Sequence, residues 1–251
     1  MQRHNKLSLF STLILVTLLC GCQQSAQKQT VSAITTGLSA EEFPLYWVIE
    51  SESDSSYFSF YGDTLEIVAP KGFTLWRKDK MNGNVRITYS ARIMDEGKPT
   101  DRLSDLNCFW MASDPHADDI FTNSDQRSGK FGQYYSLQMY YVGYGGNYNS
   151  TTRFRRYSGD SRGIDDASFR PEILTEYTDS AHLLIPNHWY HIELSCNIIN
   201  IPAVCQSISS RMFCLYLYEL RPRQNGGIGI GTAVIMAQSA GFHKIIIFRT
   251  G

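Results

Sequence analysis

Along most of its length the chain alternates apolar and polar residues in short runs, with turn-forming residues between them. The runs are Tyr57–Tyr61, Thr64–Val68, Phe73–Arg77, Asn84–Ile93, Asp105–Ala112, Tyr134–Val142, Thr151–Tyr157, Trp189–Cys196, Arg211–Leu220 and Lys244–Phe248. A period of two places successive side chains on opposite faces of a strand, and β-branched and aromatic residues suit that geometry. Tyr61-Gly62-Asp63, Asn82-Gly83-Asn84 and Gly143 to Asn149 read as the turns and loops between them. Nothing between the runs carries a helical period, so the pattern predicts an all-β, antiparallel sandwich or barrel.

The alternation also proposes a site. Asn84–Ile93 points Val85, Ile87, Tyr89, Ala91 and Ile93 to one side, which should be core. In Asp105–Ala112, Leu106, Cys108 and Trp110 oppose Asp105, Asn107 and Phe109. In Tyr134–Val142, Tyr134, Ser136, Gln138 and Tyr140 oppose Tyr135, Leu137, Met139 and Tyr141. In Thr151–Tyr157, Arg153, Arg155 and Tyr157 oppose Phe154. If the three strands are neighbours, Asp105, Asn107, Gln138, Tyr140, Arg153 and Arg155 line a groove, with Tyr134 and Tyr157 beside it. Tyr144 belongs to a Gly- and Tyr-rich segment, Tyr140 to Asn149, whose rings suit sugar contact.

Amides and carboxylates hold pairs of sugar hydroxyls, and Arg holds a uronate carboxylate through two parallel hydrogen bonds. Tyr140 as base, with Arg153 or Arg155 neutralising the carboxylate, is the set needed for β-elimination by a polysaccharide lyase. The competing readings are a non-catalytic sugar-binding protein and, third, a glycoside hydrolase, for which Asp105, Glu172 and Glu176 are available carboxylates. An equally simple reading makes these residues a hydrated outer face with ordinary cross-strand pairs. No Gly-x-Ser-x-Gly elbow or phosphate-binding loop is present.

The N-terminus departs from the strand pattern. Arg3, His4 and Lys6 precede an apolar run from Leu7 to Leu19, followed by Leu19-Cys20-Gly21-Cys22. That arrangement reads as a signal peptide over residues 1–22 with a lipobox, making Cys22 the lipidated first residue of the mature chain. The run is shorter than the roughly 20 residues that span a bilayer, whereas acyl chains contribute about 0.8 kcal/mol per buried methylene. The expected location is the bacterial cell envelope, at the outer membrane, with the lipid on Cys22 as the membrane contact. Residues 23–38, rich in Gln, Ser, Thr and Ala, are expected to be a flexible tether, and residues 39–251 a single β-sandwich domain.

Composition narrows the partners. A formal charge of −1 gives no electrostatic reason for nucleic-acid binding. Aromatic residues make up 13% of the chain, including 15 Tyr, which favours a β-rich protein and sugar stacking alike. Cys108, Cys196, Cys205 and Cys214 lack the spacing of a zinc site, and the residues imply no cofactor. One disulfide among the last three and a buried thiol at Cys108 are expected. His116 with Asp114, Asp118 and Asp119 could hold a structural calcium, without an EF-hand spacing.

Five segments also resemble a known family. They are Gly72-Phe73-Thr74-Leu75-Trp76, Ser104 to Ala112, Tyr140 to Asn147, Thr151-Thr152-Arg153-Phe154-Arg155-Arg156-Tyr157 and Asn187-His188-Trp189-Tyr190. Over about Tyr57 to Cys196 the chain resembles a family of exported proteins from bacterial glycan-utilisation loci, distantly similar to the YesU-like proteins of pectin degradation. The resemblance implies a concanavalin A-like jelly roll, the fold of lectins, glycosidases and polysaccharide lyases, so it does not choose between binding and catalysis. The family brings no catalytic residues to carry over. After Cys196 the match fades until Phe242 to Arg249, which looks like its closing strand.

Overall fold

The computed structural model describes residues 38–62, 64–80, 85–99 and 101–196, and the backbone of four further strands up to Phe248. Among the described residues the strands are β1 Trp47–Ser51, β2 Tyr57–Tyr61, β3 Thr64–Ala69, β4 Phe73–Arg77, β5 Val85–Ile93, β6 Leu106–Ser113, β7 Gln138–Gly145, β8 Thr151–Ser158, β9 Glu172–Tyr177, β10 Tyr190–Cys196, β11 Ala203–Ile208, β12 Arg211–Tyr216, β13 Thr232–Ala237 and β14 His243–Phe248. They form two seven-stranded antiparallel sheets, ordered β1-β4-β13-β6-β7-β8-β9 and β12-β11-β10-β5-β14-β3-β2. This is the expected all-β jelly-roll sandwich. The closing strand expected at the C-terminus is β14, which inserts between β3 and β5.

The core between the sheets is built as the alternation foresaw on β5, with Tyr89, Ala91 and Ile93 buried. The first sheet contributes Cys108, Trp110, Tyr140, Val142 and Phe154 to the same cluster. Leu38, placed by sequence at the end of the tether, is also buried there. The Cys108 thiol is buried. The register sets Cys205 opposite Cys214 across β11 and β12, but the expected disulfide falls on side chains outside the described residues. The signal peptide, Cys22 and the rest of the tether also lie outside them.

The sequence did not foretell a second core. The 24 residues between β6 and β7 fold back over the outer face of the first sheet, where Ile120, Tyr134 and Leu137 pack with Trp76, Phe109, Met139, Tyr141 and Tyr157. Trp76 and Phe109 stack with ring centroids 6.0 Å apart. The excursion is held by Glu50, whose carboxylate accepts hydrogen bonds from Trp76 Nε1 (2.9 Å), Tyr134 Oη (2.6 Å), Ser124 Oγ (2.7 Å) and Arg127 Nε (3.2 Å). The Glu50 and Arg127 side chains are 1% and 5% exposed. Tyr134 therefore lies in a single 3-10 turn, Phe131–Tyr134, and not in the strand expected to begin there.

Candidate functional site

Cross-strand register decides which expected site residues meet, because directly opposed residues share a face. Strands β6, β7, β8 and β9 are successive neighbours. Asn107 lies opposite Gly143, Gly143 opposite Arg153, and Arg153 opposite Glu176. The next row runs Phe109, Tyr141, Arg155 and Ile173. Both rows lie on the outer face, with Asp105 immediately before β6.

Tyr140 is not among them. It lies opposite Trp110 and Arg156 in register and is buried between the sheets, its ring 5.9 Å from those of Trp110 and Phe154. The expected pairing of Tyr140 with Arg153 or Arg155 is corrected: the tyrosine and the arginines occupy opposite faces. Tyr144 also points inward, meeting the Tyr190 ring edge-on at 5.2 Å and donating its hydroxyl to Leu183 O at 3.1 Å. Gln138 shares the Tyr140 parity and is half-buried where β7 begins, opposite Ser158. Tyr134 and Tyr157 are on the outer side, yet wholly enclosed in the second core. An open groove lined by all of these side chains is therefore not what the fold builds.

The residue that alternation assigned to the apolar face, Tyr141, sits at the centre of the polar cluster. A Cβ added at Gly143 would meet the Tyr141 hydroxyl and would come within 2.8 Å of ring atoms Cε1 and Cζ. The ring thus leans along the sheet over a bare Cα. Gly143→Ala is expected to force it aside at a cost of about 1–3 kcal/mol, read as a lower urea midpoint; an unchanged midpoint would show that the ring is free to move. Burial holds the Tyr141 phenol well above its ordinary pKa, the Asp105 charge raises it further, and Arg155 and Arg153 oppose that shift.

Asn107 is fully buried, and neither its Nδ2 nor its Oδ1 has a hydrogen-bond partner among the described residues. An unsatisfied buried polar group costs about 1–3 kcal/mol, so a wholly idle amide is the exception in a folded core. The charged residues around it have partners. Asp105 accepts from Ser104 Oγ at 2.6 Å, Arg153 pairs with Glu176, and Arg155 donates to Pro171 O at 3.0 Å. Glu172, another expected carboxylate, pairs with Arg156.

Beside Asp105, the β7–β8 loop holds three consecutive non-glycine residues with positive φ: Asn147 (51°), Tyr148 (57°) and Asn149 (56°). Such backbone is costly for residues with a Cβ and needs support from its surroundings. Asn149 supplies it, donating to Leu184 O at 2.9 Å and accepting from Leu184 N at 2.7 Å. The loop presents Tyr148 at 77% exposure, with the Arg102 guanidinium 3.8 Å from its ring centre. The sequence signalled this only through the Gly- and Asn-rich composition around one tyrosine.

Among the described residues no group of three or more His, Cys, Asp or Glu side chains is placed to hold a metal. Two of the three carboxylates considered for calcium have partners of their own. Asp114 accepts from His116 N at 2.9 Å, and Asp119 pairs with Lys80 at 2.6 Å. No described helix is long and apolar enough to cross a membrane.

Residues 67–222 match a family model described as a domain of unknown function, DUF6250. No curated protein matches the chain in sequence. Among solved structures it is similar to a protein of unknown function with a galectin-like fold from Bacillus subtilis, at 15% identity over 84% of this chain and 90% of that one, with a TM-score of 0.59. It is also similar to the legume lectin-like domain from Entamoeba histolytica, at 9% identity over 88% and 100% of the two chains, with a TM-score of 0.52. At these identities the likeness speaks for the fold.

Proposed function

This chain belongs to the DUF6250 family, and from that premise we propose that it is a carbohydrate-binding protein, lipid-anchored through Cys22, that holds its glycan without cleaving it. The observation that carries the reading is the idle Asn107 amide, buried with both donor and acceptor unused among the described residues. A sugar hydroxyl both donates and accepts, so one hydroxyl pair would satisfy both ends of the amide. Asn107 is 0% exposed, so a sugar would reach its amide only with the Tyr141 ring displaced from over Gly143. Arg153 and Arg155 each have guanidinium donors beyond the contacts described and would take a uronate carboxylate, which makes an acidic glycan of the pectic kind the preferred ligand. Tyr148 offers an exposed ring on which a pyranose can stack. A lectin-like fold is compatible with this role without requiring it.

Geometry disfavours β-elimination. Tyr140 faces the other side of the sheet from the arginines, and Tyr141, which does meet them, is kept protonated by burial. A base must be able to accept the proton near the working pH. A glycosidase would need two carboxyl groups flanking one bond, and Glu172 and Glu176 are both committed to ion pairs.

The test is titration of the full chain with uronate-containing oligosaccharides, followed by calorimetry and by absorbance of unsaturated sugar ends. Binding without new ends is expected, and Asn107→Ala should weaken it at least about tenfold, equivalent to 1.4 kcal/mol. New unsaturated ends would restore the lyase reading; unchanged affinity would remove Asn107 from the site. For the anchor, cells fed labelled palmitate should mark the wild-type chain and leave Cys22→Ala unmarked.

A further inference from the structure

A cavity of about 570 Å³ lies between the β6–β7 excursion and the loop that follows β8, apart from the Asn107 cluster. Ligand pockets typically enclose about 300–1,000 Å³. Among its lining residues are Arg127 and Asp114, whose side chains are 5% and 6% exposed and 3.8 Å apart at their nearest charged atoms. The wall on the far side is fixed by close packing. A Cβ at Gly163 would fall 2.5 Å from Ser136 N, so only glycine lets that loop seat against the excursion. The ring of Tyr135, which also lines the cavity, meets Phe131 edge-on at 5.5 Å and has the Arg170 guanidinium 5.6 Å from its centre.

The charges on this lining select against ions. Three carboxylates, Asp114, Asp165 and Asp166, share the lining with three cations, Arg127, Lys130 and Arg170, and Asp114 and Arg127 lie 3.8 Å apart. An anion would meet the carboxylates and a cation the guanidinium and ammonium groups, while an apolar ligand would strip water from both without replacing their hydrogen bonds. A hydroxyl group serves donor and acceptor walls equally. We propose that this cavity is a second binding site, specific for a neutral polyhydroxylated ligand, a sugar or other polyol. It stands independently of the Asn107 site and of that site's preference for an acidic glycan.

Gly132 provides the discriminating variant. It lines the cavity, and a Cβ there would meet nothing within 4 Å, so a side chain can leave the backbone there without a clash, and Gly132→Trp is the variant chosen to occupy the space. The full chain is titrated with glucose, galactose, mannose, their disaccharides and sorbitol, followed by saturation-transfer NMR, with thermal unfolding as the check on folding. At least one of these probes should bind saturably, keep its affinity within about twofold in Asn107→Ala, and lose at least about tenfold in Gly132→Trp at unchanged Tm. The proposal is overturned if none binds, if binding survives Gly132→Trp, or if galacturonate binds this site more tightly than galactose. Should Gly132→Trp fail to fold, Gln126→Ala together with Lys130→Ala, both exposed at the rim, takes its place with the same expected loss.

Discussion

Glu50→Ala is expected to destabilise the protein by about 3–5 kcal/mol, the cost of breaking a buried ion pair from one side. The carboxylate accepts from an indole, a phenol, a hydroxyl and a guanidinium, so its removal leaves four donors short of a partner and leaves Arg127 only Asp114, 3.8 Å away, as a countercharge. For a domain of this size the loss is a fall in Tm of roughly 10–15 °C. Glu50→Gln, which keeps a carbonyl acceptor, should lose less. The informative comparison is the double variant Glu50→Leu with Arg127→Met. Exchanging both partners of a buried pair for apolar residues is often neutral or stabilising, so the double variant should recover the part of the loss due to the Arg127 charge, while Trp76, Tyr134 and Ser124 still lack their acceptor. Equal losses in Glu50→Ala and a surface control, by urea unfolding, would show that the network does not hold the excursion to the sheet.

Alkaline pH should unfold the protein steeply. Tyr89, Tyr134, Tyr141 and Tyr157 are each held above the ordinary phenol pKa, with burial as the largest cause in every case. Nearby charges add to it, Cys108 beside Tyr89 and Glu50 beside Tyr134. Below about pH 10 these phenols are neutral in both the folded and unfolded chains, so they make stability independent of pH there. Above it the unfolded chain releases the protons and the folded chain does not, and stability falls by about 1.4 kcal/mol per pH unit for each group. Four such groups remove about 5.5 kcal/mol per unit, enough to exhaust an ordinary domain's stability within one to three units. Phenolate absorbance should therefore show at least these four of the 15 tyrosines titrating only together with the loss of near-ultraviolet circular dichroism. Smooth titration near pH 10 with tertiary structure intact would mean that these rings are open to water.

The contrast between Tyr140 and Tyr141 shows how far the site was legible. Both were visible as strand residues, and the register puts Asn107, Arg153 and Arg155 on one face across β6, β7 and β8. On β7 the parity that meets those residues is the one carrying Met139 and Tyr141. The sequence offered no way to choose, because alternation identifies a core face only where the other face meets water. Here Tyr140 is buried against the second sheet and Tyr141 beneath the β6–β7 excursion. A strand buried on both sides has no polar face to read.

By itself, then, the sequence determined the β architecture, most strand positions and the inward face of β5, because each depends on the local period of two and on turn residues. Strands β1, β9, β11 and β13 escaped it, as did the second core. Glu50 and Arg127 are 77 residues apart, and Asn107 and Arg153 are 46 apart; nothing in either local pattern announces the other. Only the tertiary structure decided that a carboxylate on β1 would hold the excursion down, that this excursion would bury the outer face, and that one amide within it would be left without a partner among the described residues. Those outcomes follow from register and from packing between distant segments, which no local periodicity encodes.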